Sequence, residues 1–176
     1  MAYEDAESLE PHGDDSVIKA LNKVYRPALT MFEEAHKQEH RFKKKFGYEK
    51  MGKRYDNLTK HAHGIRHKVL NRIEHLGGVA DSRFESVDSK GRDDGENGGV
   101  MEPTDDIRKA YENTHRRLGQ IMDRIGQANS VAQSANDHVT HGLLLKLHHK
   151  VDKKHKKIGM KRRQVKDMGD KYLLKA

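Results

Sequence analysis

Histidine is the residue type in this chain that is best suited to chemistry. The 176 residues include thirteen histidines and no cysteine. Two pairs, His36/His40 and His63/His67, are spaced i,i+4, so each pair would share a helix face and could chelate a borderline metal such as Zn, Ni or Cu. A solvated, partly charged face is the alternative. We favour that alternative, because metal sites normally take further ligands from a second element.

A third histidine group lies in the stretch THGLLLKLHHKVDKKHKK, residues 140–157. His148, Asp152 and His155 are spaced i, i+4, i+7 and would again lie on one helix face. They are candidate metal ligands if another element supplies a further ligand. The alternative is the exposed side of a packed helix, and the sequence alone leaves both open.

Positive charge is concentrated at the carboxyl end. The last 31 residues contain twelve lysines and arginines against three aspartates, a net charge of +9, whereas the whole chain carries +8. Such a one-sided distribution predicts a polyanionic partner, although a lysine-rich solvated helix would look the same. Aromatic residues are too few there for base stacking, so we predict sequence-independent, salt-dependent nucleic-acid binding. The predicted contacts are Lys150, Lys153, Lys154, Lys156, Lys157, Lys161, Arg162, Arg163 and Lys166.

Composition narrows the class of protein. Residues are 34% hydrophobic, 35% charged and 6% aromatic, which is lean but sufficient for one well-patterned domain. The absence of cysteine excludes disulfides and thiolate metal sites. No apolar run is long enough to span a membrane, and the acidic amino terminus does not resemble a secretion signal. We therefore expect a cytoplasmic protein, or one inside a virion or other particle, that does not contact membranes.

Two long amphipathic helices are predicted in the first half. Ser16 is expected to cap the first, which would start at Val17 and be kinked or locally broken at Pro27. After a short turn, apolar residues recur with helical spacing over residues 51–76. Gly77 and the glycine after it would end this second helix.

Two further helices are predicted after a glycine-rich loop at residues 86–103. Thr104 is expected to cap the third, and a polar break near Asn136 separates it from the fourth. Gly159 would loosen the fourth helix before a basic segment, residues 160–176. The predicted core positions of the fourth helix are Val139, Leu143, Leu147, Val151 and Ile158.

This order of elements predicts an all-α four-helix bundle with a long crossover between helices 2 and 3. Short turns make sequential helices antiparallel, whereas the long loop lets helix 3 start at the far end of the bundle. The predicted domains are an acidic arm at 1–15, the bundle at 16–159 with its crossover loop, and a basic helical extension at 160–176.

Several segments resemble ferritin-like proteins. VIKALNKVYRPALT followed by FKKKFGYEKM looks like the first helix and turn of bacterioferritins. RIEHLGGVADSRF and DHVTHGLLLKLHHKVDKKH are similar to the second and fourth helices of Dps proteins, the miniature ferritins that protect DNA during starvation. The resemblance covers most of residues 17–158. It implies a ferritin-like bundle, a homo-oligomer and iron as the cofactor to test.

The same resemblance indicates where a di-iron centre inside the bundle would lie. Such centres need carboxylates and histidines that project inward from facing helices. The matching positions in this sequence are Ala28, Ala62, Ile65, Leu118, Val151 and Lys154. Five of the six are apolar and none is a carboxylate or histidine, so we expect no ferroxidase centre in the bundle and assign no catalytic residue.

Dps proteins hold iron between subunits instead. The resemblance places candidate ligands at His36 or His40 and at Asp56, but the second acid position is occupied by Lys60. A bacterioferritin haem would match His63, and one aligned position is too little to predict haem. We therefore keep surface iron at these residues as a hypothesis and expect no haem.

Two functions remain from the sequence. The first is a Dps-like homo-oligomer that binds nucleic acid non-specifically and sequesters metal. The second is a non-enzymatic structural or assembly component of a virion, capsid or ribosome-associated particle. Missing core ligands favour the second and the basic end favours the first. A working ferroxidase ranks last, because its carboxylates are absent.

Overall fold

The computed structural model describes residues 12–87, 99–169 and 171–175. Most of the predicted acidic arm and the middle of the predicted 86–103 loop, residues 88–98, lie outside this part of the chain. Within it there are helices and no strand. The helices are α1 (His12–Lys43), α2 (Glu49–His75), α3 (Ile107–Ser134), α4 (His138–Met168) and α5 (Lys171–Lys175).

Four long helices form the bundle around one apolar core. Helix α1 packs along α2 and α3, and α4 packs along α3. The short connections at 44–48 and 135–137 make α1–α2 and α3–α4 antiparallel pairs. Residues 76–106 connect α2 to α3 as the crossover. The predicted all-α bundle with a long crossover is confirmed. None of the helices in the described ranges is long and apolar enough to cross a membrane.

The start of α1 differs from the prediction. The helix begins at His12, so Ser16 lies inside it and does not cap it. It also runs without interruption through Pro27, which is buried. A proline removes one backbone donor, and packing of the surrounding helix offsets this loss because Val24 and Ala28 are fully buried.

The ends of α3 and α4 are fixed by aspartates. Asp106, and not Thr104, caps α3: its side chain accepts a hydrogen bond from the backbone N–H of Lys109 at 3.2 Å. Asp137 caps α4 by accepting from the N–H of Thr140 at 2.9 Å. Helix α4 continues past Gly159 to Met168, so the predicted loosening at Gly159 is wrong.

The core face of α4 differs from the predicted one by one residue in the first turns of the helix. Leu144 is fully buried where Leu143 was expected, and Val139 is 66% exposed. Thr140 takes the buried position, where its hydroxyl oxygen accepts a 2.8 Å hydrogen bond from Nε of Arg72. Leu147, Val151 and Ile158 are buried as predicted. The run of three leucines offers two equally apolar registers, and the polar contact of Thr140 selects between them.

Buried polar contacts attach the crossover segment to α1 and α3. Arg117 of α3 is fully buried; its guanidinium donates to Oε1 of Glu34 at 2.7 Å and to the carbonyl of Gly99 at 2.8 Å. Arg124 of α3 donates to Oε1 of the buried Glu85 at 2.7 Å. Gly99 has φ of +69°, and a Cβ at this position would lie 2.6 Å from the carbonyl carbon of Glu85. The two described ends of the crossover therefore touch each other.

Candidate nucleic-acid interface and metal positions

The basic residues of α4 are distributed over three faces. A helix turns by about 100° per residue, so positions around the buried Val151 can be assigned to a side. One side faces α2, a second faces α3, and the third points away from the bundle. The α2 side carries Lys150, Lys154, Lys157 and Lys161; the α3 side carries Arg162, Arg163 and Lys166; the outer side carries Lys153 and Lys156.

Cations from α2 and α4 meet on the first side. The ammonium group of Lys68 on α2 lies within hydrogen-bonding reach of that of Lys150, and this contact lowers the pKa of Lys68. Burial lowers the pKa of Lys154, and nearby Lys157 lowers it further. Burial, Arg54 and Lys157 together lower the pKa of Lys161. The structure thus assembles a run of neighbouring cations from two helices, and sequence analysis had not assigned its two α2 members, Lys68 and Arg54.

His61 lies under this run of cations. Burial, together with the charges of Lys154 and Lys150, lowers its pKa to about 4, so the imidazole is neutral at physiological pH. Its Nε2 atom is inaccessible to solvent and has no hydrogen-bond partner. Sequence analysis missed His61, although its spacing of seven residues from Arg54 and from Lys68 places all three on one side of α2.

A stacked histidine pair occupies the α3 side of α4. The rings of His155 and His115 have centroids 4.0 Å apart and are 19° from parallel. Burial, together with the charges of His155, Arg162 and Arg163, lowers the pKa of His115 to about 4. His115 also packs on Gly159, where a Cβ would lie 3.2 Å from its Nε2. The pair is a packing contact between α3 and α4, which one sequence cannot reveal.

The candidate metal ligands on this side have other partners. The carboxylate of Asp152 forms an ion pair with the ammonium group of Lys156 at 2.9 Å, and this contact lowers the pKa of the carboxyl. His155 is stacked on His115, while His148 is exposed. Across the described residues, histidines and acids nowhere gather in a group of three or more that could hold a metal ion. Metal binding by this trio stays a prediction.

The candidate iron ligands of α1 and α2 lie at the surface. His36 and His40 meet edge to face with ring centroids 4.6 Å apart. Asp56 is held by Lys60 at 2.8 Å, and this hydrogen bond lowers the pKa of the carboxyl. His63, the residue matched to a haem ligand, is exposed and stacks on His67 at 6.0 Å. Iron at His36, His40 and Asp56 also stays a prediction.

A di-iron centre inside the bundle does not fit the side chains at the expected positions. Ala28, Ala62, Leu118 and Val151 are fully buried, and Ile65 is 2% exposed. Aliphatic groups offer no lone pair to iron. The sixth position, Lys154, is half-buried on the α2 side and is a cation. The first five positions belong to the apolar core.

Comparisons with known proteins identify the fold alone. No family model matches the chain, and no curated protein matches it. Among solved structures, the bacterioferritin of Desulfovibrio desulfuricans, described with its di-iron site in different catalytic states, superposes with a TM-score of 0.73. The match covers 94% of this chain and 88% of the bacterioferritin, with 18% sequence identity. The chain therefore has the ferritin-like four-helix fold, and its chemistry has to be argued from its own residues.

Proposed function

We propose that this protein is a ferritin-fold, Dps-like homo-oligomer that binds nucleic acid without sequence preference. The observation that carries the proposal is the set of cations on α4: ten lysines and arginines against Asp152 and Asp167. Lysine side chains neutralise phosphates and release counterions without requiring fixed geometry. Lys150, Lys153, Lys157, Arg163 and Lys166 are all exposed and available for such contacts.

The proposal excludes a ferroxidase centre inside the bundle. The five apolar residues at the expected ligand positions support this exclusion, because a carboxylate-free cavity cannot hold two iron ions. Metal sequestration, if it occurs, would use surface residues such as His36, His40 and Asp56. The protein would then act by binding and packing nucleic acid in the cell or inside a particle.

The test measures the binding of labelled duplex DNA by fluorescence anisotropy across a salt series. We expect affinity to be equal for unrelated sequences. With six to ten phosphate contacts it should fall by about 10³ to 10⁵ between roughly 50 and 200 mM salt. Affinity that is flat over this range, or strong preference for one sequence, would contradict the proposal. Native mass spectrometry with metal analysis gives the subunit number. We expect ferrous iron to be oxidised no faster with the protein than in buffer alone.

A structural or assembly component of a larger particle is the second candidate. Its support is a set of large apolar side chains at the surface: Phe46 is 98% exposed, Val79 84% and Met160 52%. Scattered apolar residues are common on monomers, so this support is weaker. A protein that ignores DNA and is recovered only within a larger particle would favour this candidate over the first.

A further inference from the structure

The groove between α2 and α4 has a different electrostatic character from the rest of the bundle. On α2, Arg54, His61 and Lys68 recur every seven residues and lie along one side. Their neighbours on α4 run in the opposite direction: Lys161 lies near Arg54, and Lys150 lies near both His61 and Lys68. The two rows therefore face each other in antiparallel register along the groove.

Every charged neighbour that lowers a pKa in this groove is a cation. The groups that lower the pKa values of His61, Lys68, Lys154 and Lys161 are lysines and one arginine. The acid that bridges the two helices lies at the end of the groove, where Asp137, the cap of α4, pairs with Arg72 of α2 at 3.1 Å. Two ammonium groups in contact repel each other unless an anion lies between them.

His61 lies beneath these cations. Its Nε2 atom is inaccessible to solvent, so it does not reach a ligand in the groove. Because burial and the charges of Lys154 and Lys150 keep the imidazole neutral, the positive charge of the groove comes from the lysines above it.

The shape of the row suits a linear polyanion. Helices α2 and α4 are not among the helix pairs whose backbones approach closely, and Lys68, Lys150 and Lys157 on this side are exposed. From Lys146 to Lys161 the row is about 22 Å long at 1.5 Å per residue, which matches about six phosphates of one DNA strand. A single small anion would use only a fraction of this length.

We propose that the α2–α4 groove is the main phosphate-binding surface for duplex nucleic acid, with Lys68, Lys150 and Lys154 at its centre. This inference rests on the proposed nucleic-acid binding and assigns it to one face. The outer lysines, such as Lys153, then contribute only general attraction. An acidic protein segment is the competing occupant of the same groove.

Two double variants of equal charge separate the groove from the outer face. Lys68→Gln/Lys150→Gln removes two groove cations, and Lys153→Gln/Lys156→Gln removes two outer cations as the matched control. With labelled duplex DNA of arbitrary sequence, the groove variant should lose at least about tenfold in affinity. Its plot of log affinity against log salt should flatten by about 1.8, the release of two counterions. The control should lose less than about threefold.

Lysine acetylation footprinting of the wild-type protein removes any dependence on folding of the variants. DNA should protect Lys68, Lys150 and Lys154 and leave Lys153 reactive. If the groove lysines are already unreactive without DNA, another copy or segment fills the groove and the inference is wrong. Displacement of DNA by polyglutamate at equal charge concentration would likewise overturn it in favour of an acidic protein partner.

The outcomes distinguish this inference from the function on which it rests. Equal losses in the two double variants, with tight binding by the wild type, would reject the groove and leave nucleic-acid binding in place. Absence of wild-type binding even at low salt would reject the proposed function itself.

Discussion

Two opposite sides of the bundle differ in whether their cations are paired with acids. On the α1–α3 side, each buried cation faces an acid: Arg117 lies 2.7 Å from Glu34, and Arg124 lies 2.7 Å from Glu85. On the α2–α4 side, Arg72 and Asp137 form an ion pair at one end. In the middle of that side Lys68 faces Lys150, with another cation, Lys146, nearby. Paired charge ties the crossover to the bundle, whereas unpaired charge is left available for a partner outside the chain.

The largest expected effect is on the paired side. Arg117→Met keeps most of the side-chain volume but leaves the Glu34 carboxylate and the Gly99 carbonyl buried without their donor. Removing one partner of a buried ion pair costs about 3–5 kcal/mol. Urea denaturation of the variant should show a loss of this size, with Arg108→Met, an exposed ion-paired residue, as the control.

The double variant Arg117→Met/Glu34→Gln sharpens that result. Burial raises the pKa of the Glu34 carboxyl, and Arg117 partly offsets the rise. Replacing the carboxylate by a neutral amide should therefore recover part of the lost stability. If the double variant is as unstable as Arg117→Met alone, the cost comes from packing and not from uncompensated charge.

The next effect is a pH dependence from the α2–α4 side. The unfolded chain takes up a proton at His61 near pH 6.5, whereas the folded chain does so only near pH 4. The free energy of unfolding should therefore fall as the pH is lowered from 6.5 to 4. Aspartates of lowered pKa, such as Asp56 and Asp152, also reduce stability when they are protonated. That loss occurs at lower pH, below their ordinary pKa of 3.8.

His61→Gln isolates this contribution. The difference in urea midpoint between the two ends of the pH window should be smaller in the variant than in the wild type. His115 contributes with the same sign, because its pKa is also lowered to about 4, so part of the dependence should persist. An unchanged pH dependence in His61→Gln would show that the buried imidazole is not the titrating group.

A smaller effect of opposite sign is expected when groove cations are neutralised. In the DNA-free protein, Lys68→Gln/Lys150→Gln relieves repulsion between like charges and should raise the thermal midpoint slightly at low salt. The gain should vanish at high salt, where exposed charges are screened. A lower midpoint in the variant would mean that these lysines have stabilising partners, and the contrast between the two sides would fail.

The smallest effect is expected where paired charges are exposed. Arg41 donates to both carboxylate oxygens of Asp105, at 2.9 and 3.0 Å, and this lowers the pKa of Asp105. Both side chains are in water, so the pair contributes little. Asp105→Asn should leave the thermal midpoint within experimental error. A clear loss would show that pairing alone, and not burial, decides which charges hold the fold.

The sequence predicts the helices well because apolar periodicity survives in each of them. The sequence does not predict which polar residues are buried in the core. Arg117 and Gln120 are buried, yet polar residues in a helical pattern are normally assigned to the surface. Their partners, the carbonyls of Gly99 and Ser86, belong to the crossover and are distant in sequence. No local pattern could have paired them.

The candidate site shows the same limit. The basic end of the chain predicts an electrostatic surface, but the sequence alone treats its nine cations as one group. Only the packing of α4 against α2 and α3 separates them, and only the register of α2 adds Lys68 and His61. The core face around Val151 was predicted correctly. What the sequence could not show is which neighbouring helix lies on each side of that face.

Because Gly99 lies against the backbone of Glu85, the two described ends of the crossover loop are held together on the bundle. Whatever path residues 88–98 take, they leave and return at the same point on the bundle. Changing their number alters only loop-closure entropy, about 0.6 kcal/mol for each doubling in length. This position is therefore suited to grafting a reporter or an affinity handle, whereas Gly99 itself tolerates no side chain, because a Cβ would lie 2.6 Å from the Glu85 backbone.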